Sequence, residues 1–258
     1  MNILDQIAAF KKEEVAACLK AAPMEVLTQM PLYTRQCGSM RTSLMTKEFG
    51  VIAEHKRRSP SKAAINFGLQ LPFIIQGYEA AGAAGMSVLT DTPYFGGSLN
   101  DLLLARQHTQ LPLLRKDFTV DAYQIHEAKA YGADCILLIA AILSDTQLNE
   151  YTALAQELGL EVLLEVHDLD ELTSALETPA DIIGVNNRNL KTFEVSLEHS
   201  AELTKHIPQD RCKISESGIH RSEDLMYLKE HGFQGFLIGE RFMREADPGQ
   251  ALAQFIKL

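Results

Sequence analysis

Eight short, almost wholly apolar runs recur along this chain, at residues 51–53, 86–89, 111–114, 135–139, 162–164, 182–185, 212–214 and 236–238. Each is followed by an amphipathic stretch. Short apolar runs bounded by turn residues suit strands buried on both faces, as in a parallel sheet. Eight strand-then-helix units point to an α/β chain folded as a (β/α)8 TIM barrel, and 258 residues is a usual length for that fold. A doubly wound open sheet normally has fewer strands, and no G-x-G-x-x-G follows the first run. A less regular α/β fold with one or two fewer strands is the alternative.

The intervening segments carry helix signals. Ser144 is placed to cap a helix whose Leu148, Tyr151, Leu154, Ala155 and Leu158 share one face, with Gly159 just past its end. Ser98 and Asp101 have the spacing of a capping box, and Asp247-Pro248 is an N-cap followed by a first-turn proline. Ahead of the first run, Ile3, Ile7, Phe10, Val15 and Leu19 fall near one helical stripe, and Pro23 and Pro31 punctuate the stretch between that stripe and the first run. The expected organisation is a single TIM-barrel domain over 1–258, with an N-terminal helical extension at 1–49 and the barrel at 50–258.

Composition narrows the function. A formal net charge of −10 argues against a nucleic acid or an anionic membrane as partner, since either needs a broad basic face. An anionic small molecule is still compatible, because a few local cations and N–H groups suffice for it. Cys18, Cys37, Cys135 and Cys212 are scattered, which suggests neither a zinc site nor a disulfide framework, and the last two lie in apolar runs as small core residues. The N-terminal segment contains acidic residues and lacks the layout of a signal peptide, and no apolar stretch is long enough to span a bilayer. A cytoplasmic monomer is expected.

Barrels of this kind place their active sites at the C-terminal ends of the strands, so the polar residues there are informative. They are Glu54 and Lys56 after the first run, Lys116 after the third, Glu165 after the fifth, Asn186 and Arg188 after the sixth, Glu216 and Ser217 after the seventh, and Gly239 and Glu240 after the eighth. One charge at a strand end is as readily a rim salt bridge or a cap. Several together at one mouth are costly unless they pair with each other or meet a ligand. Ser215-Glu216-Ser217-Gly218 and Gly239-Glu240-Arg241 occupy the two loops that barrels frequently use for phosphate, with Gly218 and Gly239 permitting close backbone approach. The glycines alone fit a plain strand-to-helix turn equally well. The basic loop from Lys56 to Lys62 reads as a solvated turn, apart from Lys56 itself at the strand end.

Several longer motifs resemble those of the indole-3-glycerol phosphate synthase family. Ile52-Ala53-Glu54-His55-Lys56-Arg57-Arg58-Ser59-Pro60-Ser61-Lys62 is similar to its first-strand signature, and Leu113-Leu114-Arg115-Lys116-Asp117-Phe118 to its third. Residues 134–140 resemble its fourth strand, Ile183-Gly184-Val185-Asn186-Asn187-Arg188-Asn189-Leu190 its sixth, and Ser215-Glu216-Ser217-Gly218-Ile219 with Leu237-Ile238-Gly239-Glu240 its last two. The likeness covers essentially the whole chain in the form of the stand-alone enzyme. His55 and Ala63 depart from the family pattern without touching the residues assigned to chemistry.

The resemblance implies closure of an indole ring on 1-(o-carboxyphenylamino)-1-deoxyribulose 5-phosphate, with loss of carbon dioxide and water. It assigns Lys116 as the general acid for ring closure and Glu165 as the base in dehydration. Lys56 would bind the anionic groups and donate a proton, and Glu54 would orient and tune the lysines. Asn186, with Arg188 and Glu216, would meet the departing carboxylate. Ser59, Gly218, Gly239 and Glu240 would surround the phosphate beside Ser217, and Phe118, Leu137 and Leu190 would form the apolar slot, although all three also suit plain core packing. No metal or cofactor is expected. Burial and nearby cations would lower the Lys116 pKa while nearby carboxylates oppose the shift, so its direction is open. Two rival readings are a Schiff-base aldolase using Lys116 or Lys56, and a non-catalytic sensor of a phosphorylated ligand.

Overall fold

In the computed structural model, which describes residues 3–60, 62–189 and 194–257, eight parallel strands close into a barrel in sequence order. They are β1 (Gly50–His55), β2 (Gly85–Leu89), β3 (Leu113–Lys116), β4 (Cys135–Ile139), β5 (Glu161–Val166), β6 (Ile182–Asn186), β7 (Cys212–Glu216) and β8 (Gly235–Ile238). β8 pairs back onto β1 through Gly50–Gly235 and Ile52–Leu237, which completes the ring. Every apolar run of the sequence became a strand. β3 begins two residues later than its run because Pro112 precedes it and cannot donate to a ladder.

Three helices precede the barrel: α1 (Ile3–Ala21), α2 (Met24–Thr28) and α3 (Met40–Met45). The outer layer consists of α4 (Leu71–Ala80), α5 (Thr92–Phe95), α6 (Leu99–His108), α7 (Tyr123–Ala130), α8 (Asp145–Glu157), α9 (Leu169–Leu176), α10 (Leu197–Leu203), α11 (Ser222–Glu230), α12 (Glu240–Met243) and α13 (Pro248–Phe255). Their starts follow local chemistry. Ser144 and Gln147 form a reciprocal capping box at α8, and Asp247 accepts from the Gln250 N–H ahead of Pro248 at α13. At α6 only half of the expected box forms. Ser98 caps the Asp101 N–H, but the Asp101 carboxylate pairs with Arg57 at 2.6 and 2.7 Å.

Alternation along the strands divides the core in two. Val51, Ala53, Met86, Val88, Leu113, Val162, Leu164 and their equivalents face the helices. Ile52, Leu114, Cys135, Leu137, Leu163, Ile182, Cys212, Ile214 and Leu237 fill the barrel interior, where Cys135 and Cys212 are the buried core thiols the sequence suggested. Met40 and Leu44 of α3, both fully buried, belong to this inner cluster and pack against Gly85, Gly50 and Gly235 at the strand starts. Asp134 fixes the same segment, accepting from Arg35 and the Gly38 N–H at 2.7 Å each and from Arg106 and the Leu113 N–H at 2.8 Å each.

The stripe read on α1 needs correction. Phe10 and Leu19 are 40% and 38% exposed, whereas Lys11 is 1% exposed. The buried face runs through Leu4, Ile7, Lys11 and Val15 instead. The cause is electrostatic and distant in sequence. Lys11 Nζ lies 3.0 Å from Asp91 and 3.0 Å from Asp117, the acids at the ends of β2 and β3, and 3.0 Å from Glu14.

Candidate active site

The inward-facing columns of the barrel end in charge. Glu54 follows Ile52, Lys116 follows Leu114, Glu165 follows Leu163 and Glu216 follows Ile214, each two residues on and therefore on the same face. Glu54, Lys116, Glu165, Asn186 and Glu216 lie within their strands rather than after them. Lys116 Nζ donates to Glu216 Oε2 at 2.6 Å and Glu165 Oε2 at 3.0 Å. Lys56 Nζ lies 2.7 Å from Glu54 Oε1, and the other Glu54 oxygen accepts from Ser87 at 3.4 Å. Asn186 donates to Glu165 Oε1 at 3.1 Å and accepts the Arg188 N–H at 3.0 Å.

Three carboxylates facing two lysines settle the protonation of the group. Burial, the largest influence, pushes the Lys116 ammonium down, but Glu165, Glu216 and Glu54 together outweigh it and hold it above the ordinary lysine value. Glu165 is held below the carboxylate range, because Lys116 and His167 overcome the effect of its burial. Glu216 goes the other way. Burial and the neighbouring Glu165 and Glu54 prevail over Lys116 and raise it to about 7. It is 2% exposed, and its Oε1 has no hydrogen-bond partner among the described residues. A carboxyl raised on folding stabilises the native state fully below its unfolded value of about 4.3, and the benefit is lost as pH rises through the folded value. Glu216→Gln removes that loss, so the variant's Tm minus that of wild type should grow between pH 5 and pH 8. A difference flat with pH in thermal melts would contradict the raised carboxyl.

These groups form the floor of a cavity of about 220 Å³. Glu54, Lys56, Ser59, Lys116, Phe118, Leu137, Glu165, Asn186, Arg188, Glu216, Ser217, Gly218, Gly239 and Glu240 all line it, so the sequence-selected residues are gathered in one place. Leu190 lies outside the described residues, as does Ser61 of the first motif. One wall is apolar: Phe118 meets Phe95 at a ring separation of 5.9 Å beside the buried Leu137. Ile3, Leu4 and Ile7 of α1 also line the cavity. Sequence reasoning missed both Phe95 and the α1 residues, and only the apolar spacing at the start of α1 offered a signal. His55 and Ala63 do not line the cavity; His55 is buried in β1, where burial and Arg57 lower it to about 4.

The opposite wall is built from backbone. Ser217 and Gly218 have φ of 70° and 74°, and the Ser217 carbonyl is held by Asn187 at 2.8 Å. A left-handed serine is strained, and such strain collects at functional sites. Gly239 caps α12 with no side chain in the way; a Cβ there would lie 2.6 Å from Glu54 Oε1. The Glu240 side chain pairs with Lys62 and Arg244. The loop after β1 is tied down by the Ser59–Lys62 bridge, with N···O distances of 2.8 and 3.0 Å. Among the described residues no three His, Cys, Asp or Glu side chains converge as a metal would require.

The fold recurs in solved structures of low identity. The N-acetylmannosamine-6-phosphate 2-epimerase from Clostridium perfringens matches at 15% identity and TM-score 0.63, over 84% of this chain and 95% of that one. Thiamine phosphate pyrophosphorylase from Pyrococcus furiosus matches at 16% and 0.61, over 85% and 96%. Such likeness speaks for the fold alone. Sequence relatives are far closer. The indole-3-glycerol phosphate synthases of Laribacter hongkongensis (strain HLHK9) and Polaromonas sp. (strain JS666 / ATCC BAA-500) are 48% and 46% identical; the alignments cover 98% of both chains in the first case, and 100% of this chain and 99% of the relative in the second. The family profile described as indole-3-glycerol phosphate synthase spans residues 4–255. With its motifs gathered at the barrel mouth and its whole length aligned, the chain belongs to the indole-3-glycerol phosphate synthase family.

Proposed function

We propose that this chain converts 1-(o-carboxyphenylamino)-1-deoxyribulose 5-phosphate to indole-3-glycerol phosphate, carbon dioxide and water, a step of tryptophan biosynthesis. The observation that carries the reading is the placement of Lys116. It is a half-buried ammonium between Glu165 and Glu216, on the floor of a cavity with one aromatic wall and one backbone wall. The anthranilate ring fits the slot of Phe95, Phe118 and Leu137. The phosphate meets the N–H groups of Gly218, Gly239 and Glu240 with Ser59 and Ser217, as anions commonly do at the last two loops of a barrel. Lys56 and Arg188 supply local positive charge for the substrate's anions.

The chemistry then divides among these groups. The ring carbon bearing the carboxylate attacks the ribulose carbonyl, and Lys116 protonates the oxygen as it becomes a hydroxyl. The bond to the carboxylate breaks, carbon dioxide leaves, and its electron pair restores the aromatic ring near Asn186 and Arg188. Glu165 removes a proton from the methylene carbon, and the hydroxyl departs as water with a proton from Lys56. A lysine kept charged by carboxylates is an acid without a free electron pair, which favours this role over a Schiff-base nucleophile.

Mixing the protein with the carboxyphenylamino-deoxyribulose phosphate should produce indole fluorescence in proportion to enzyme. The chain has no tryptophan, so the background is low. Binding without a rise would favour the sensor, and a borohydride-trapped adduct the aldolase. Glu165→Gln keeps the shape and the Asn186 contact but cannot accept the methylene proton. Its kcat should fall about a hundredfold with KM little changed; a near-normal kcat would remove Glu165 from the base role.

A further inference from the structure

Asn187, the second asparagine of the sixth-strand motif, takes no part in these steps. It follows β6 directly, is 3% exposed and is not among the walls of the substrate cavity. Its contacts all go to the end of β7. The side-chain Nδ2 donates to the Ser217 carbonyl at 2.8 Å and to Ser215 Oγ at 2.9 Å. The backbone N–H donates to the Glu216 carbonyl at 2.8 Å. Oδ1 has no hydrogen-bond partner among the described residues, so the side chain acts only as a donor. Ser217, whose carbonyl it holds, is the one non-glycine residue with positive φ among the described residues, and Gly218 continues the same conformation. Left-handed backbone is costly for a residue with a Cβ, which crowds the following carbonyl. Something must therefore hold Ser217 there.

A trans peptide points its C=O and its N–H in opposite directions, and the bond from Ser217 to Gly218 is trans. Asn187 holds the carbonyl of that peptide on the β6 side. The N–H of Gly218 is thereby turned the other way, to the face on which Ser217 and Gly218 line the cavity. We propose that Asn187 is a positioning residue for the substrate's phosphate, which keeps the Gly218 N–H aimed at the anion by anchoring the Ser217 carbonyl. This inference rests on the phosphate placement proposed above. Without the anchor, Ser217 relaxes toward negative φ, the peptide rotates and the donor turns away from the anion. Asn187 neither lines the cavity nor moves a proton, so its contribution falls on binding and not on the chemical step.

Asn187→Leu in the full chain removes both side-chain donors at similar volume. KM should rise about tenfold with kcat within about twofold, and affinity for inorganic phosphate, read by equilibrium titration, should fall by a similar factor. Ser217→Gly makes the test specific, because glycine takes the left-handed conformation without being held there. In that background Asn187→Leu should raise KM only about twofold. An asparagine that merely supports packing would cost the same factor in both backgrounds. Asn187→Ala carries the same comparison if the leucine variant fails to fold. Unchanged KM and phosphate affinity, a loss confined to kcat, or equal losses in the two backgrounds would each overturn the anchor. A wild type that binds inorganic phosphate but forms no indole overturns the proposed reaction alone, and the phosphate titrations then decide the anchor.

Discussion

Lys116→Ala is expected to lower kcat by about three to four orders of magnitude, because one side chain supplies both the proton and the positive charge at the carbonyl oxygen. Substrate affinity should change far less. Removing the ammonium leaves Glu165 and Glu216 face to face, but Glu216 is already raised to about 7 and takes up a proton readily. The lost charge is thus nearly replaced, and the phosphate and aromatic walls are untouched. Stopped-flow indole fluorescence measures the first effect, and equilibrium binding of the substrate to the inactive variant measures the second. Turnover within about tenfold of wild type would move the acid to Lys56. Equal loss of turnover and affinity would instead mark Lys116 as a binding group.

The barrel and most of its mouth were legible in the sequence because both follow from short-range periodicity. A strand buried on both faces writes itself as a continuous apolar run, and its inward column continues by twos into Glu54, Lys116, Glu165 and Glu216. Stopping at Glu165 after the fifth run also set a limit. His167 continues the Glu165 column by one more step, yet it falls past the strand end and its meaning depends on Glu171 in the next helix. The direction of the Lys116 pKa was open for a similar reason. Burial and carboxylates act in opposite senses, and only the distances to Glu165 and Glu216 decide between them. Phe95 was invisible because its role comes from the turn that Asp91 caps and from a ring contact with Phe118 in the loop after β3.

The N-terminal segment was the least legible because its partners lie far along the chain, and Lys11 is the position where this matters most. Lys11→Met should destabilise the protein by about 3–5 kcal/mol, the usual consequence of removing one partner from a buried ion cluster. In a chain of this length that is a fall in Tm of roughly 10 °C. Methionine fills the space, but Asp91 and Asp117, both almost fully buried, lose the cation that offsets their desolvation. Burial pushes the Lys11 ammonium down, yet Asp117, Asp91 and Glu14 raise it overall. Its contribution is therefore complete below the unfolded lysine value of about 10.4 and is lost only above it. The Tm difference from wild type should accordingly be level from pH 6 to pH 9, unlike that of Glu216→Gln. Activity should fall with it, since Ile3, Leu4 and Ile7 line the cavity, Asp117 holds the Phe118 N–H at 2.8 Å and Asp91 caps the turn bearing Phe95. Lys11→Arg keeps the charge and should recover part of both losses. A Lys11→Met protein that melts with wild type would mean that α1 is held by its apolar contacts alone and that the buried cluster contributes no net stability.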